Sequence, residues 1–134
     1  MGMPLETLGA VGLAAFLGHL FPVFFEFQGG KGVATFLGSL LGIAWPLGIF
    51  FIVIWLLVAK LSKLSSLAAL TAAALTPLFA WSRGYPALLL IAIAAMVVML
   101  FWRHRSNIRR LLDGTEVRVG AKAANDSSHS AGPE

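Results

Sequence analysis

Three glycines flank a lysine in the stretch Gly29-Gly30-Lys31-Gly32-Val33-Ala34-Thr35. Residues of these types at this spacing bind anions. Glycine lacks the Cβ that holds a ligand off the main chain, so successive amide N–H groups can converge on one point. Lys31 adds a cation with three donors on a flexible stem. The apolar run that begins at Val33 predicts a helix whose first amides have no partner within it and whose near end carries the positive dipole. Thr35 falls in the first turn of that helix, where it can cap the turn or donate to the anion. Phosphate is the natural occupant. The stretch is not a Walker A loop, which ends in Gly-Lys-Ser/Thr after a four-residue gap, and no strand precedes it as a dinucleotide fingerprint requires. A lysine that only snorkels to a membrane interface needs no glycine beside it.

A second cluster is Arg103-His104-Arg105-Ser106-Asn107-Ile108-Arg109-Arg110-Leu111. A spacing of three puts His104 and Asn107 on one helical face, with Arg103 and Arg110 close to it. An anchor to anionic headgroups uses arginines, and Arg105 and Arg109 fit that role. It has no use for His104 or Asn107. His19 lies in an apolar helix about a turn before the lysine loop, and ionisable groups at such depth tend to be functional. Pro22 frees a carbonyl near Gly18 that His19 could engage. Gly114 is a helix terminator. Glu116 reads as the exposed partner of a nearby arginine, worth little. No serine–histidine–acid set, carboxylate pair or metal-ligand spacing is present, so no metal or cofactor is expected.

These groups must be positioned by membrane helices. Of the 134 residues, 58% are hydrophobic and 12% charged, the latter about half the share of a soluble domain. So short a chain cannot bury that apolar surface by itself, and lipid must solvate it. With no cysteine there is no disulfide or thiolate chemistry. The net charge of +4 lies largely between Arg103 and Lys122. The tail lacks interleaved aromatics, which argues against nucleic acid as a partner. Glu6 and the absence of Lys or Arg before residue 8 argue against a signal peptide, so the first apolar run is expected to stay as a membrane helix.

The apolar stretches are Leu8 to Phe25, Val33 to Ala59, Leu64 to Ala80 and Pro86 to Trp102. If Val33 to Ala59 were one crossing, Lys31 and the arginine-rich tail would lie on opposite faces, against the positive-inside tendency. A break at Ala44-Trp45-Pro46 instead gives two short pieces, Val33 to Ile43 and Leu47 to Ala59. Lys31, Lys60, Lys63 and the tail then share one face. The expected fold is all-α: a polytopic integral membrane protein with about five membrane segments, two of them short and broken near Pro46. Residues 1–116 form the membrane domain, and 117–134, rich in Ala, Ser, Asn and Gly, form a disordered tail.

Taken together, Gly18-His19-Leu20-Phe21-Pro22-Val23-Phe24 with Gln28-Gly29-Gly30-Lys31-Gly32-Val33-Ala34-Thr35 resembles the second signature of the bacterial acyl-phosphate:glycerol-3-phosphate acyltransferases, the PlsY family. The cluster Arg103 to Leu111, with Gly114 and Glu116, resembles the third. The resemblance covers roughly residues 8–116. It implies a multi-pass enzyme of the bacterial inner membrane, its motifs and C-terminus cytoplasmic, that transfers an acyl chain from acyl phosphate to the 1-hydroxyl of glycerol 3-phosphate in phospholipid synthesis. It implies that His19, His104 and Asn107 line the catalytic pocket. Gly29, Gly30, Lys31, Gly32 and Thr35 would bind phosphate, with Arg103 adding charge. The family's first signature, a Ser/Gly/Asn-rich loop, and two N-terminal helices have no counterpart here, so the chain is expected to match a C-terminal portion. Position 28, often lysine in the family, is glutamine. The competing reading is a non-catalytic membrane module or small transporter whose basic face binds lipid headgroups.

Overall fold

A computed structural model of the protein describes residues 2–20 and 32–118, with the backbone alone at 19 and 20. The described residues form α1 (Leu5–Leu20), α2 (Val33–Ile43), α3 (Trp45–Ser62), α4 (Ser65–Ser82), α5 (Ala87–Arg103) and α6 (Arg105–Asp113), with no strand among them. The expected tail lies almost wholly outside these residues.

The break before Pro46 is real. Ala44 is extended, at φ −156° and ψ 109°, and divides α2 from α3. The two helices pack side by side: Phe36 meets Phe51 edge to face with ring centroids 5.5 Å apart, and Phe16 of α1 meets Phe36 at 6.2 Å. All three rings are buried. In lipid such contacts hold helices through close packing, because tails solvate apolar groups as well as a neighbouring helix does. Helix α2 has 11 residues and rises about 16 Å, short of a bilayer core. Helix α3 is longer than its expected bounds, running from Trp45 to Ser62. Pro46 sits in its first turn, where the missing N–H is one the helix leaves unpartnered anyway.

Helices α3 and α4 are each long and apolar enough to cross a membrane. Val53, Leu56, Leu57 and Leu78 are exposed on them, as a lipid-facing surface requires. Thr76, buried in α4, donates to the Ala72 carbonyl at 2.8 Å and so needs no outside partner.

The arginine-rich segment does not run on in line with the preceding helix. The axis bends by 62° between α5 and α6. His104 stands at the bend, its amide shared between the Leu100 and Phe101 carbonyls. The cause lies in amphipathicity: Ile108 and Leu111 pack against the core while Arg105 and Arg109 are exposed. Lying across the bundle end satisfies both faces. Arg105 donates to the Trp102 carbonyl at 3.1 Å and covers the Trp102 ring at 4.6 Å. The start of α2, the α3–α4 turn and the end of α5 meet at one end of the bundle, bringing Lys60, Lys63 and the α6 arginines together. Arg83 lies at the other end.

Candidate functional site

Four helices contribute to a cavity of about 310 Å³ at that end, lined by Val33, Trp55, Ser65, Ser66, Ala69, His104 and Asn107. His104 and Asn107 thus meet as their spacing predicts, with α6 carrying Asn107 across the bend. His104 is buried, at 4% exposure. Its Nδ1 lies 2.8 Å from the Leu100 carbonyl. That oxygen can only accept, so Nδ1 carries the proton, and in the neutral ring Nε2 is the basic nitrogen.

Glu116 organises the floor. Its side chain is 8% exposed. Asn107 Nδ2 and Ser66 Oγ donate to Oε2 at 2.9 and 3.1 Å. Arg110 Nε and the Val117 amide donate to Oε1 at 3.3 and 3.1 Å. The carboxylate therefore ties α4, α6 and the following segment together and fixes which way the Asn107 amide points. Gly114 makes this possible. At φ 73° it reverses the chain after α6, while the Thr115 amide donates to the Arg110 carbonyl. The sequence reading of Glu116 as half of an exposed pair is corrected, since the Arg110 contact is one of four and the acid is nearly sealed.

Burial pushes the Glu116 carboxyl up, but the hydrogen bonds from Asn107, the Val117 amide, Ser66 and Arg110 outweigh it and hold the group below its ordinary value. A carboxyl depressed in the native state stabilises the fold above its unfolded pKa. That contribution is lost as pH falls through the native value. Thermal melts from pH 7 to pH 3 are expected to show a loss of stability below about pH 4.5 that is smaller in Glu116→Gln. Equal loss in both proteins would contradict the assignment.

The glycine–lysine loop, expected to bind phosphate, is described only at its end. Gly32 is the N-cap of α2 at φ 87°, left-handed backbone that a side chain would strain. The α2 amides beyond it open beside Val33, which lines the cavity. Gly29, Gly30 and Lys31 lie outside the described residues. His19 is on α1, at its C-terminal end, but its side chain is not among those described. Thr35 does not cap α2, which has no side-chain cap. It lines a separate groove between α1 and α2, with Gly12 and Ser39. Two residues past Val33, it sits about 200° around the helix from that cavity-lining residue, on the α1 side and away from His104. Arg103 is half-buried in the last turn of α5 and is not among the cavity's lining residues.

Sequence reasoning missed Ser65, Ser66 and Trp55. The serines follow Lys63-Leu64 and open α4, a helix-start signal that carried no hint of a partner fifty residues on. Trp55 lies mid-helix among apolar residues and had no signal at all.

The family model described as glycerol-3-phosphate acyltransferase matches residues 2–114. The glycerol-3-phosphate acyltransferase of Methylococcus capsulatus is 54% identical over 122 residues, covering 91% of this chain and 62% of that protein. The one from Nitrobacter winogradskyi is 54% identical over 114 residues, covering 85% and 58%. The crystal structure of PlsY, an integral membrane glycerol 3-phosphate acyltransferase, in its glycerol 3-phosphate form superposes with a TM-score of 0.81 at 39% identity, covering 89% of this chain and 60% of that one. Its lysophosphatidic acid form gives 0.80 at 40% identity. The chain spans about three fifths of the length of these relatives.

Proposed function

This chain belongs to the glycerol-3-phosphate acyltransferase family, and from that premise we propose that it is a membrane enzyme which transfers an acyl chain from acyl phosphate to glycerol 3-phosphate, giving lysophosphatidate and phosphate. The observation that carries the reading is the convergence of His104 and Asn107 with the start of α2 on one cavity at the basic end of the bundle. A headgroup anchor needs surface charge, whereas this arrangement buries a histidine and locks an asparagine.

In this reading the loop from Gly29 through Lys31 to Gly32 grips a phosphate with main-chain amides and an ammonium, and Arg103 adds charge from the end of α5. The 1-hydroxyl oxygen of glycerol 3-phosphate attacks the acyl carbonyl carbon. A new ester C–O bond forms and the carbonyl–phosphate C–O bond breaks. The hydroxyl proton passes to His104 Nε2 or to the departing phosphate. Because phosphate is a good leaving group, positioning and charge neutralisation supply much of the rate. Thr35, on the far wall of α2, acts by packing against α1. His19, carried by α1, acts with His104 and Asn107 in this reading.

The acyl tail has a path. An apolar groove of about 370 Å³ runs between α2 and α3, lined by Val33, Ala34, Leu37, Phe51, Ile52, Trp55 and Leu56. It shares Val33 and Trp55 with the polar cavity. A headgroup in one and a tail in the other would place the reacting carbonyl at their junction. The basic end faces the cytosol on the positive-inside tendency, and the membrane is the bacterial inner membrane.

The test is acyl transfer by the protein in lipid nanodiscs, supplied with palmitoyl phosphate and radiolabelled glycerol 3-phosphate. Labelled lysophosphatidate is expected, and Lys31→Met is expected to lower kcat/KM by about 100-fold. No product from the wild-type chain, or undiminished turnover by Lys31→Met, sinks the reading.

A further inference from the structure

We propose that Lys63 is a steering cation at the mouth of the His104–Asn107 cavity, which draws the doubly charged phosphate ester toward the site; this rests on reading that cavity as a phosphate-ester site. Among the described residues Lys63 is the one non-glycine with positive φ, at 61° with ψ 18°. L-residues other than asparagine and aspartate largely avoid this left-handed conformation, and just past a helix end achiral glycine is the usual occupant.

The turn itself has no need of a lysine. It is held by the Lys63 amide donating to the Ala59 carbonyl at 2.9 Å and the Leu64 amide donating to Ser62 Oγ at 3.1 Å. Ser62 Oγ donates in turn to the Val58 carbonyl at 2.6 Å. Every one of these bonds would survive with glycine at 63. The Lys63 side chain is exposed, and among the described residues its ammonium makes no hydrogen bond or ion pair. Nor does Glu116 call for it, because that carboxylate is already held by Arg110, Asn107 and Ser66. Strain kept where the fold does not require it points to function.

Position supplies the function. Lys63 stands two residues before Ser65 and three before Ser66, which both line the cavity. Its Cα is therefore no more than about 7.6 Å from that of Ser65, within reach of a four-carbon stem. A cation at the rim of a low-dielectric cleft raises the local concentration of an anionic ligand and its on-rate, and salt screens the effect. An anchor for headgroups would work equally well one residue earlier, on the unstrained helix.

The experiment measures glycerol 3-phosphate binding to the 134-residue chain in nanodiscs of zwitterionic lipid, at about 10 mM and about 500 mM salt. Lys63→Gly and Lys63→Gln are expected to bind about fivefold more weakly at low salt and like wild type at high salt, while Lys63→Arg matches wild type throughout. Lys63→Gly is also expected to melt higher than wild type. Wild-type binding by Lys63→Gln at low salt, a loss that persists at high salt, or a lower melting temperature in Lys63→Gly overturns the proposal. So does a Lys63 effect that emerges only when anionic lipid is added, since that marks a headgroup contact. Absence of binding by the wild-type chain removes the phosphate-ester reading itself, and the Lys63 proposal with it.

Discussion

Turnover by a His104→Asn variant is expected to fall by about 10² to 10⁴-fold with little loss of stability. The range is that of a general base removed from its reaction. Asparagine places an amide N–H near the position of Nδ1, so the 2.8 Å bond to the Leu100 carbonyl can be kept while the basic nitrogen is lost. His104→Ala gives up both, and it leaves a space in a site that is 4% exposed. Comparing the two variants separates the ring's role in shape from its role in proton transfer. The measurement is single-turnover acyl transfer beside a thermal melt in the same nanodiscs. If His104→Asn keeps a rate within about tenfold of wild type, the base is the substrate's own phosphate, and His104 serves to hold the bend between α5 and α6.

Glu116→Ala is expected to cost about 3 kcal/mol of stability and to weaken catalysis as well. Removing this carboxylate strands the Ser66 hydroxyl and takes from the Asn107 amide its bond to Oε2. Each unsatisfied donor costs about 1–3 kcal/mol when buried. Arg110 is 42% exposed and can turn to water, so it adds little. Glu116→Gln retains an acceptor oxygen and should fall between alanine and wild type. The catalytic loss follows from Asn107, whose amide would lose the bond to Oε2 that helps to orient it. A chemical melt checks the first effect, and kcat against KM in the refolded fraction checks the second. An alanine variant as stable as wild type would show that the four contacts are dispensable and that α6 is held by Ile108 and Leu111 alone.

Part of the site was legible because its residue types are costly where they stand. A histidine and asparagine three apart in an arginine-rich helix have no cheap structural explanation, and the cavity holds both; Gly29, Gly30 and Lys31 lie outside the described residues. The break at Ala44 was equally legible, since Pro46 and the parity of positive charge both required it. Glu116 was misread for a physical reason. Local sequence shows an acid six residues from Arg110, and only the chain reversal at Gly114 reveals that Ser66 arrives from α4 to meet it.

Thr35 marks the same boundary from the other side. Helical phase gives its angle around α2, but which neighbour lies at that angle depends on how α1 packs, and α1 takes the Thr35 face. The amino-acid order alone determined a membrane-borne, all-helical chain broken at Ala44 and carrying a polar cluster at His104 and Asn107, because composition, glycine and proline act through local energetics. Packing alone decided that α6 turns by 62°, that Ser65, Ser66 and Trp55 join His104 and Asn107, and that an apolar groove opens from their cavity. Those outcomes depend on contacts between segments tens of residues apart, whose free energies no local pattern encodes.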